Sequence, residues 1–323
     1  MGYLKLKIKN ILFNLKKFNN NLFCKINKKR FNKRIAIVSC DKWINKVKED
    51  ILLKIELNKK LIDVDIISWQ DKSVNYNKYD ALIIRSIWGY QDYIKSFIEW
   101  LNNLNNSNKK VFNDTKIILS NLNKYEQFKI LDENKIPHIE TTFINKENLD
   151  DIKKIYDKHK EIVIKPIRSG SANNTFIISD KIKKNNIEIS EVNEKFNKVL
   201  NSVNNYIMVQ PFIKEIDDGE LSVVVIDTKI SHAAIRYTNI FNNLNQIKIV
   251  DLKDLDDKVL KIVNKCIEIK EYKDSLYMRI DLVKINDNYK IMELELVEPQ
   301  LFFEFKQNKS KLIEFVEVIK SNL

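Results

Sequence analysis

The sequence predicts an α/β protein built in parts: a parallel α/β unit near the N-terminus, then two α+β units. Three observations carry this. Short apolar runs alternate with helical patterns between residues 34 and 112. Beyond that point strand-like runs follow one another closely, as hairpins do. The chain of 323 residues is long enough to bury a full core spread over two or three subdomains.

The elements follow in order. Residues 34–39 (RIAIVS) form a short apolar strand, 44–60 a helix, 64–68 and 81–84 two further strands, and 97–104 a helix. Residues 121–134 read as one helix that stops at Ile136-Pro137. Strands are expected at 141–144, 162–165, 175–179, 208–212, 221–227, 230–236, 275–283 and 289–296. Helices are expected at 192–202, 254–271 and 308–321, and the Asn/Lys-rich patches 102–110 and 183–187 read as loops. The expected division is a basic segment 1–33, a first α/β domain 34–112, a middle subdomain 113–208 and a C-terminal subdomain 209–323.

The net charge of +12 suggests nucleic acid until its distribution is read. Residues 1–34 hold eleven Lys or Arg and no acid, and the rest of the chain is close to neutral. No nucleic-acid partner is therefore expected. Residues 4–23 are amphipathic, with Leu4, Ile8, Ile11, Leu12, Leu15, Phe18 and Leu22 at helical spacing among lysines. Such a helix fits peripheral contact with an anionic membrane; the commoner explanations of the pattern are packing on the body or on a second copy in a homodimer, or a frayed basic tail. Cys24, Cys40 and Cys266 are far apart and have no zinc-like spacing, so a reducing, cytoplasmic setting is expected. No apolar run is long enough to span a membrane.

Three local features carry chemistry. The first is Arg279-Ile-Asp281, a turn at residues 286–288, then Met292-Glu-Leu-Glu-Leu-Val-Glu-Pro299. Alternation along a strand puts Glu293 and Glu295 on one face, and Asp281 joins them if the partner strand faces the same way. Crowded carboxylates suit a hard cation such as Mg²⁺ bridging phosphates, although a solvent-facing acidic strand reads the same way. The second is Lys165 closing an apolar strand before a small polar loop, residues 168–175, that can cover phosphate. The third is a strand at Met208–Ile213 running into Asp217-Asp-Gly-Glu220, which offers backbone groups to a base and an acid to a ribose.

In that order the three features resemble the ATP-grasp superfamily over residues 34–305. Within it the resemblance is to the branch containing the O-ureido-serine cyclo-ligase of cycloserine biosynthesis. It is carried by Arg85-Ser-Ile-Trp-Gly-Tyr90, Asn121-Leu-Asn-Lys124-Tyr125, Val163-Ile-Lys-Pro166, Val209-Gln-Pro-Phe212, Gly219-Glu-Leu-Ser222, Ser231-His-Ala233 and the stretch 292–299, the most specific of them. The resemblance implies an ATP-grasp fold whose two α+β subdomains enclose the nucleotide. It implies ATP and one or two Mg²⁺ ions, Lys124 and Lys165 on the phosphates, Gln210 and Ile213 at the adenine, and Glu220 on the ribose. It further implies Asp281, Glu293 and Glu295 as metal ligands, and Arg279 beside the transferred phosphoryl group.

Arg85, at the end of a first-domain strand, is a candidate for the substrate carboxylate, with Trp88 and Tyr90 lining the pocket. Arg236 is a candidate for phosphate contact, and His232 is expected to be structural or near the phosphates rather than a general base. Gly89 stands where the branch usually carries an acid, and the loop after Lys165 is poor in glycine. The expected activity is ADP-forming ligation of a small carboxylate to an amine through an acyl phosphate, within one molecule or between two. The rival readings are a ligase for a peptide or carrier-bound acid and a non-catalytic ATP-binding module.

Overall fold

The computed structural model describes residues 31–107, 109–168, 174–182, 185–201, 206–238 and 245–323. The basic segment 1–33 with its expected helix at 4–23 lies almost wholly outside them, as does most of the loop after Arg168. No helix among the described residues is long and apolar enough to cross a membrane.

The first sheet is parallel, in the order β2-β1-β3-β4. Its strands are β1 (Lys33–Ser39), β2 (Ile62–Ser68), β3 (Ala81–Ile84) and β4 (Lys110–Phe112). Helices α1 (Lys48–Lys59) and α2 (Ile94–Asn106) make the crossovers. β3 is wholly apolar, and β1 is apolar from Ile35 to Val38, because the sheet is covered on both faces. The patch 102–110 is not a loop: residues 102–106 extend α2, whose Phe97, Leu101 and Leu104 are buried at helical spacing, and 110–112 form an edge strand.

The expected helix at 121–134 is α4 (Lys124–Glu133), and a short helix that was not expected, α3 (Thr115–Asn121), precedes it. The break between them is local chemistry: the Asn123 side chain caps α4 by accepting from the Tyr125 N–H at 3.1 Å. The second sheet is antiparallel, in the order β5-β8-β6-β7, from β5 (Thr142–Ile144), β6 (Glu161–Pro166), β7 (Phe176–Ser179) and β8 (Ile207–Pro211). Helix α5 (Asp151–His159) and the short α6 (Val192–Lys195) and α7 (Asn197–Leu200) cover it.

The third sheet, also antiparallel, has the order β11-β10-β9-β12-β13. Its strands are β9 (Glu220–Ile226), β10 (Lys229–Thr238), β11 (Asn245–Val250), β12 (Tyr277–Ile285) and β13 (Asn288–Glu295). Helix α8 (Asp257–Ile267) packs on one face, and the last helix, α9 (Lys309–Ser321), belongs to a core shared with the first sheet. The β12–β13 hairpin turns through Asn286 and Asp287, both with positive φ, as a primed two-residue turn requires.

β13 is an edge strand, yet its backbone is not left open. The Asn121 amide brackets the strand end by donating to Leu294 O at 3.0 Å and accepting from Leu296 N–H at 3.0 Å. Gln127 does the same around Leu294, at 2.8 and 3.1 Å. Asn113 donates to Tyr277 O and Leu296 O and accepts from the Leu276 N–H. Further along, Ile291 pairs with the chain at Pro137 and Ile139. These amides fix the strand that carries Glu293 and Glu295.

Candidate active site

Strand register gathers the polar residues. Arg279 pairs with Glu295 and Asp281 with Glu293 across β12 and β13; Ser222 on β9 pairs with Asp281; Arg236 on β10 pairs with Glu220. Because alternate residues share a face, all seven side chains stand on the same side of the sheet. The opposite face is apolar, with Leu221, Val223, Met278, Ile280 and Leu294 against α8. A bulge after Asp281, where Leu282 pairs with Ile291, leaves Met292 as the extra residue.

Asp281 is the centre of this face and has no exposed surface. Arg279 meets it through Nε at 2.9 Å and Nη2 at 2.9 Å, Arg236 Nη2 at 2.8 Å, and Ser222 Oγ donates at 2.7 Å. Arg236 also pairs with Glu220 at 3.0 Å. Burial disfavours the Asp281 carboxylate, but the two guanidiniums outweigh it and hold its pKa below the ordinary value. At Glu220 burial wins over Arg236, helped by repulsion from Asp281, and its pKa rises to about 7.

Helix α4 and strand β6 supply amines. Lys124, the first residue of α4, forms an ion pair with Glu293. Burial works against both charges, but each partner outweighs it: the Lys124 pKa is raised and the Glu293 pKa lowered. Lys165, at the end of β6, has no ion pair among the described residues. Burial, then repulsion from Lys124, brings its pKa down to about 8. It pairs in register with Met208, which packs with Phe128, Ile139, Ile167 and Val283 and is flanked by Ile213, Ile216 and Met292. Gln210, two residues on, is buried and donates to Thr141 Oγ1 at 2.8 Å. An apolar wall beside a lysine and Glu220 is a shape for a heterocyclic base with a charged tail.

Negative charge is in excess at one end. Glu295 accepts from the Val297 and Glu298 N–H groups at 2.8 and 3.2 Å. Its pKa is raised by burial and by Glu293, and that of Glu298 is raised further by burial, Glu295 and Glu293. Among the described residues no three of His, Cys, Asp or Glu are gathered tightly enough to form a ready-made metal nest. Arginines and Lys124 hold the carboxylates instead. The donor set nevertheless fits a hard divalent cation: Asp281 faces Glu293 in register, and the repulsion between Glu293 and Glu295 is what a cation would relieve.

The structure does not bring Arg85 to this face. Its guanidinium, 4% exposed, pairs with Glu49 at 3.1 Å and approaches Asp50 at 4.0 Å, and it stacks over the Tyr277 ring. Glu49 also accepts from the Leu301 and Phe303 N–H groups. Two acids in the first turn of α1 thus occupy the arginine, and the cluster ties the first sheet to the chain after β13. Trp88 packs edge-on against Trp43, while Tyr90 is buried, its pKa raised by burial and by Glu298, Glu295 and Glu293. His232 meets Leu301 O at 2.6 Å and Ser231 Oγ at 2.9 Å, and burial lowers its pKa to about 4, which leaves it a structural contact. Sequence reading did not single out Ser222 or Glu298 as site residues. Ser222 could have been found as the register partner of Asp281; Glu298 carries no signal beyond its place in the acidic stretch.

With this geometry in view, comparisons with known proteins decide the family. A family model described as prokaryotic glutathione synthetase, ATP-grasp domain, matches residues 129–310, more than half the chain. The chain belongs to this ATP-grasp family. It is thereby placed among ATP-dependent ligases that form C–N bonds and release ADP. A second model, the N-terminal domain of D-cycloserine synthetase DcsG, matches residues 35–113. Solved structures agree on the fold. A crystal structure of D-cycloserine synthetase DcsG superposes with a TM-score of 0.74 at 16% identity, over 90% of this chain and 99% of that one. D-alanine–D-alanine ligase from Bacillus anthracis gives 0.61 at 15% identity, covering 90% and 96%. The ATP-grasp ligase PsnB with its minimal precursor gives 0.59 at 14% identity, covering 88% and 98%. No curated protein matches the chain in sequence.

Proposed function

We propose that this ATP-grasp ligase phosphorylates a small carboxylate on ATP and joins the resulting acyl phosphate to a nitrogen nucleophile on an amino-acid-like substrate. The observation that carries the reading is one polar sheet face, Arg236, Arg279, Asp281, Glu293 and Glu295, opposed by Lys124 and by Lys165 beside an apolar wall. Adenine rests against Met208 and Ile213, Gln210 lies at the hinge, and Glu220 accepts the ribose hydroxyls. Lys165 and Lys124 hold the phosphates; with a pKa near 8, Lys165 is charged at neutral pH yet uncommitted to any carboxylate. Arg279 and Arg236 face the transferring phosphoryl group and stabilise the charge that develops on its oxygens. Mg²⁺ is the divalent ion that hard oxygens of Asp281, Glu293 and Glu295 would hold, neutralising phosphate charge when bound. The substrate carboxylate then attacks the γ-phosphate, and an amine displaces phosphate from the acyl carbon. No protein nucleophile is needed.

The remaining parts of the reading are a division at about residues 112 and 208, small-molecule substrates with no nucleic acid, a cytoplasmic setting, peripheral membrane contact through residues 4–23, and a homodimer. The charge distribution and the helical spacing of residues 4–23 support the partner assignments. The test of the chemistry is trapping. Purified protein is incubated with Mg²⁺-ATP, pooled carboxylates and hydroxylamine. The expected result is hydroxamate in step with ADP and phosphate. Release of AMP and pyrophosphate, or ADP without hydroxamate, would overturn the acyl phosphate.

A further inference from the structure

The order of the first sheet reverses between β1 and β3, so the chains leaving their carboxyl ends splay apart and open a crevice there. One wall is Ser39–Cys40, the other the segment 85–91, and the Cys40 thiol donates to Trp88 O at 3.4 Å between them. The chain that follows β13 packs against this end of the first sheet, Val297 joining the core of Val38, Cys40, Ile84 and Tyr90, and its turn is held by the Glu295 carboxylate on the N–H groups of Val297 and Glu298. This places Glu298 between the crevice and the polar face of the third sheet.

Glu298 is 6% exposed, and its Oε2 has no hydrogen-bond partner. No lysine or arginine forms an ion pair with it among the described residues. Gln91, whose amide oxygen accepts from the Gly89 N–H at 3.2 Å, lies beside it, and the positive charge of Arg279 acts on it without forming an ion pair. A buried polar oxygen without a partner is a place where a donor arriving with the substrate is satisfied. A second metal ion is a poor candidate, because a hard dication needs several oxygen ligands. A primary ammonium, with three donors on one centre, matches one carboxylate beside a tyrosine.

We propose that Glu298, steadied by Gln91 and adjoined by Tyr90, receives the amino group of the amine-bearing substrate. The crevice thereby selects a free primary amine and holds it next to the carboxylate-lined face where phosphoryl transfer takes place. This rests on the ligase reading only for what the amine does after binding.

The test uses the full chain loaded with Mg²⁺ and a non-hydrolysable ATP analogue. The L- and D-forms of the common amino acids, and their N-acetyl derivatives, are screened by ligand-observed NMR and titrated. The expected result is that at least one free amino acid binds, its N-acetyl form does not, and Glu298→Gln weakens binding by about tenfold or more, the loss of one charge-assisted contact. Binding of the ATP analogue checks that the variant is folded, and Gln91→Ala, which removes only the steadying amide, weakens the same amino acid. Equal binding of free and acetylated forms, equal binding by Glu298→Gln, or no amino acid bound by the nucleotide-loaded chain overturns the assignment. Binding that depends on Glu298 without any ADP formation would leave this subsite standing and remove the ligase chemistry. ADP formation at an unchanged rate and KM in Glu298→Gln would do the reverse.

Discussion

Replacing Arg279 with Met tests whether the buried charge centre is built as described. Asp281 has no exposed surface and relies on three partners. Arg279 supplies the forked contact, Nε and Nη2 each at 2.9 Å, while Arg236 supplies one bond at 2.8 Å and Ser222 another at 2.7 Å. Arg279→Met keeps the apolar stem and removes the fork, leaving a buried carboxylate partly uncompensated, at a cost of about 3–5 kcal/mol. Arg236→Met, at a more exposed position, removes one charge-assisted bond to Asp281 together with the contacts to Glu220 and Ser222, and should cost about 1.5–3 kcal/mol. The double variant Arg279→Met/Asp281→Leu should recover much of the first loss, because no buried charge is stranded. The sign with pH follows from the depressed Asp281 pKa. Its contribution is present above the unfolded carboxylate range, near pH 4, and is lost as pH falls further, so the acid limb should flatten in Arg279→Met. Urea unfolding followed by far-UV circular dichroism is the assay; all four tryptophans, 43, 69, 88 and 100, lie in the first unit and would report on that unit alone. Stabilities of both single variants within about 1 kcal/mol of the parent, or Arg236→Met costing more than Arg279→Met, would refute the reasoning.

Three further outcomes are expected. ATP affinity should be highest below pH 8 and fall above it by at most about tenfold per unit, because free Lys165 loses its proton near pH 8 and phosphate favours the charged form; an ATP titration across pH should lose this inflection in Lys165→Met. His232, with a pKa of about 4 against about 6.5 unfolded, should make stability fall as pH drops between those values, and His232→Gln, whose amide can still donate to Leu301, should weaken that slope in denaturant midpoints. Gly219→Ala should cost about 2 kcal/mol or more and raise the KM for ATP, since φ is +107° and the new Cβ would lie 2.3 Å from Ile235 Cγ2, next to Glu220; at Gly89 (φ +98°) space is open and Asp would meet backbone strain alone.

The site was legible where its chemistry is written in alternation. Glu293 and Glu295 share a face because strands alternate, and the turn at Asn286–Asp287 announces the hairpin that brings Asp281 opposite them. What could not be read depends on distant partners. Nothing near Arg85 says that Glu49 and Asp50, on a crossover helix, will occupy it. Nothing local marks Asn113, Asn121 and Gln127 as the amides that close the β13 edge, since side-chain amides look alike in loops and in cores. The strands Lys110–Phe112 and Asn245–Val250 escaped because edge strands are short and polar, and α3 escaped because seven residues, Thr115–Asn121, are too few to show a helical period.

The most direct test of the central claim is ADP formation by the purified protein with Mg²⁺-ATP, challenged with pooled amino acids, amino-acid analogues and a metabolite extract, beside Glu293→Ala. The account predicts ADP release that requires a pool and falls at least about a hundredfold in the variant, the loss of a charge placed for the transition state. Undiminished turnover by Glu293→Ala, or ATP bound by the parent with no ADP from any pool, would contradict it.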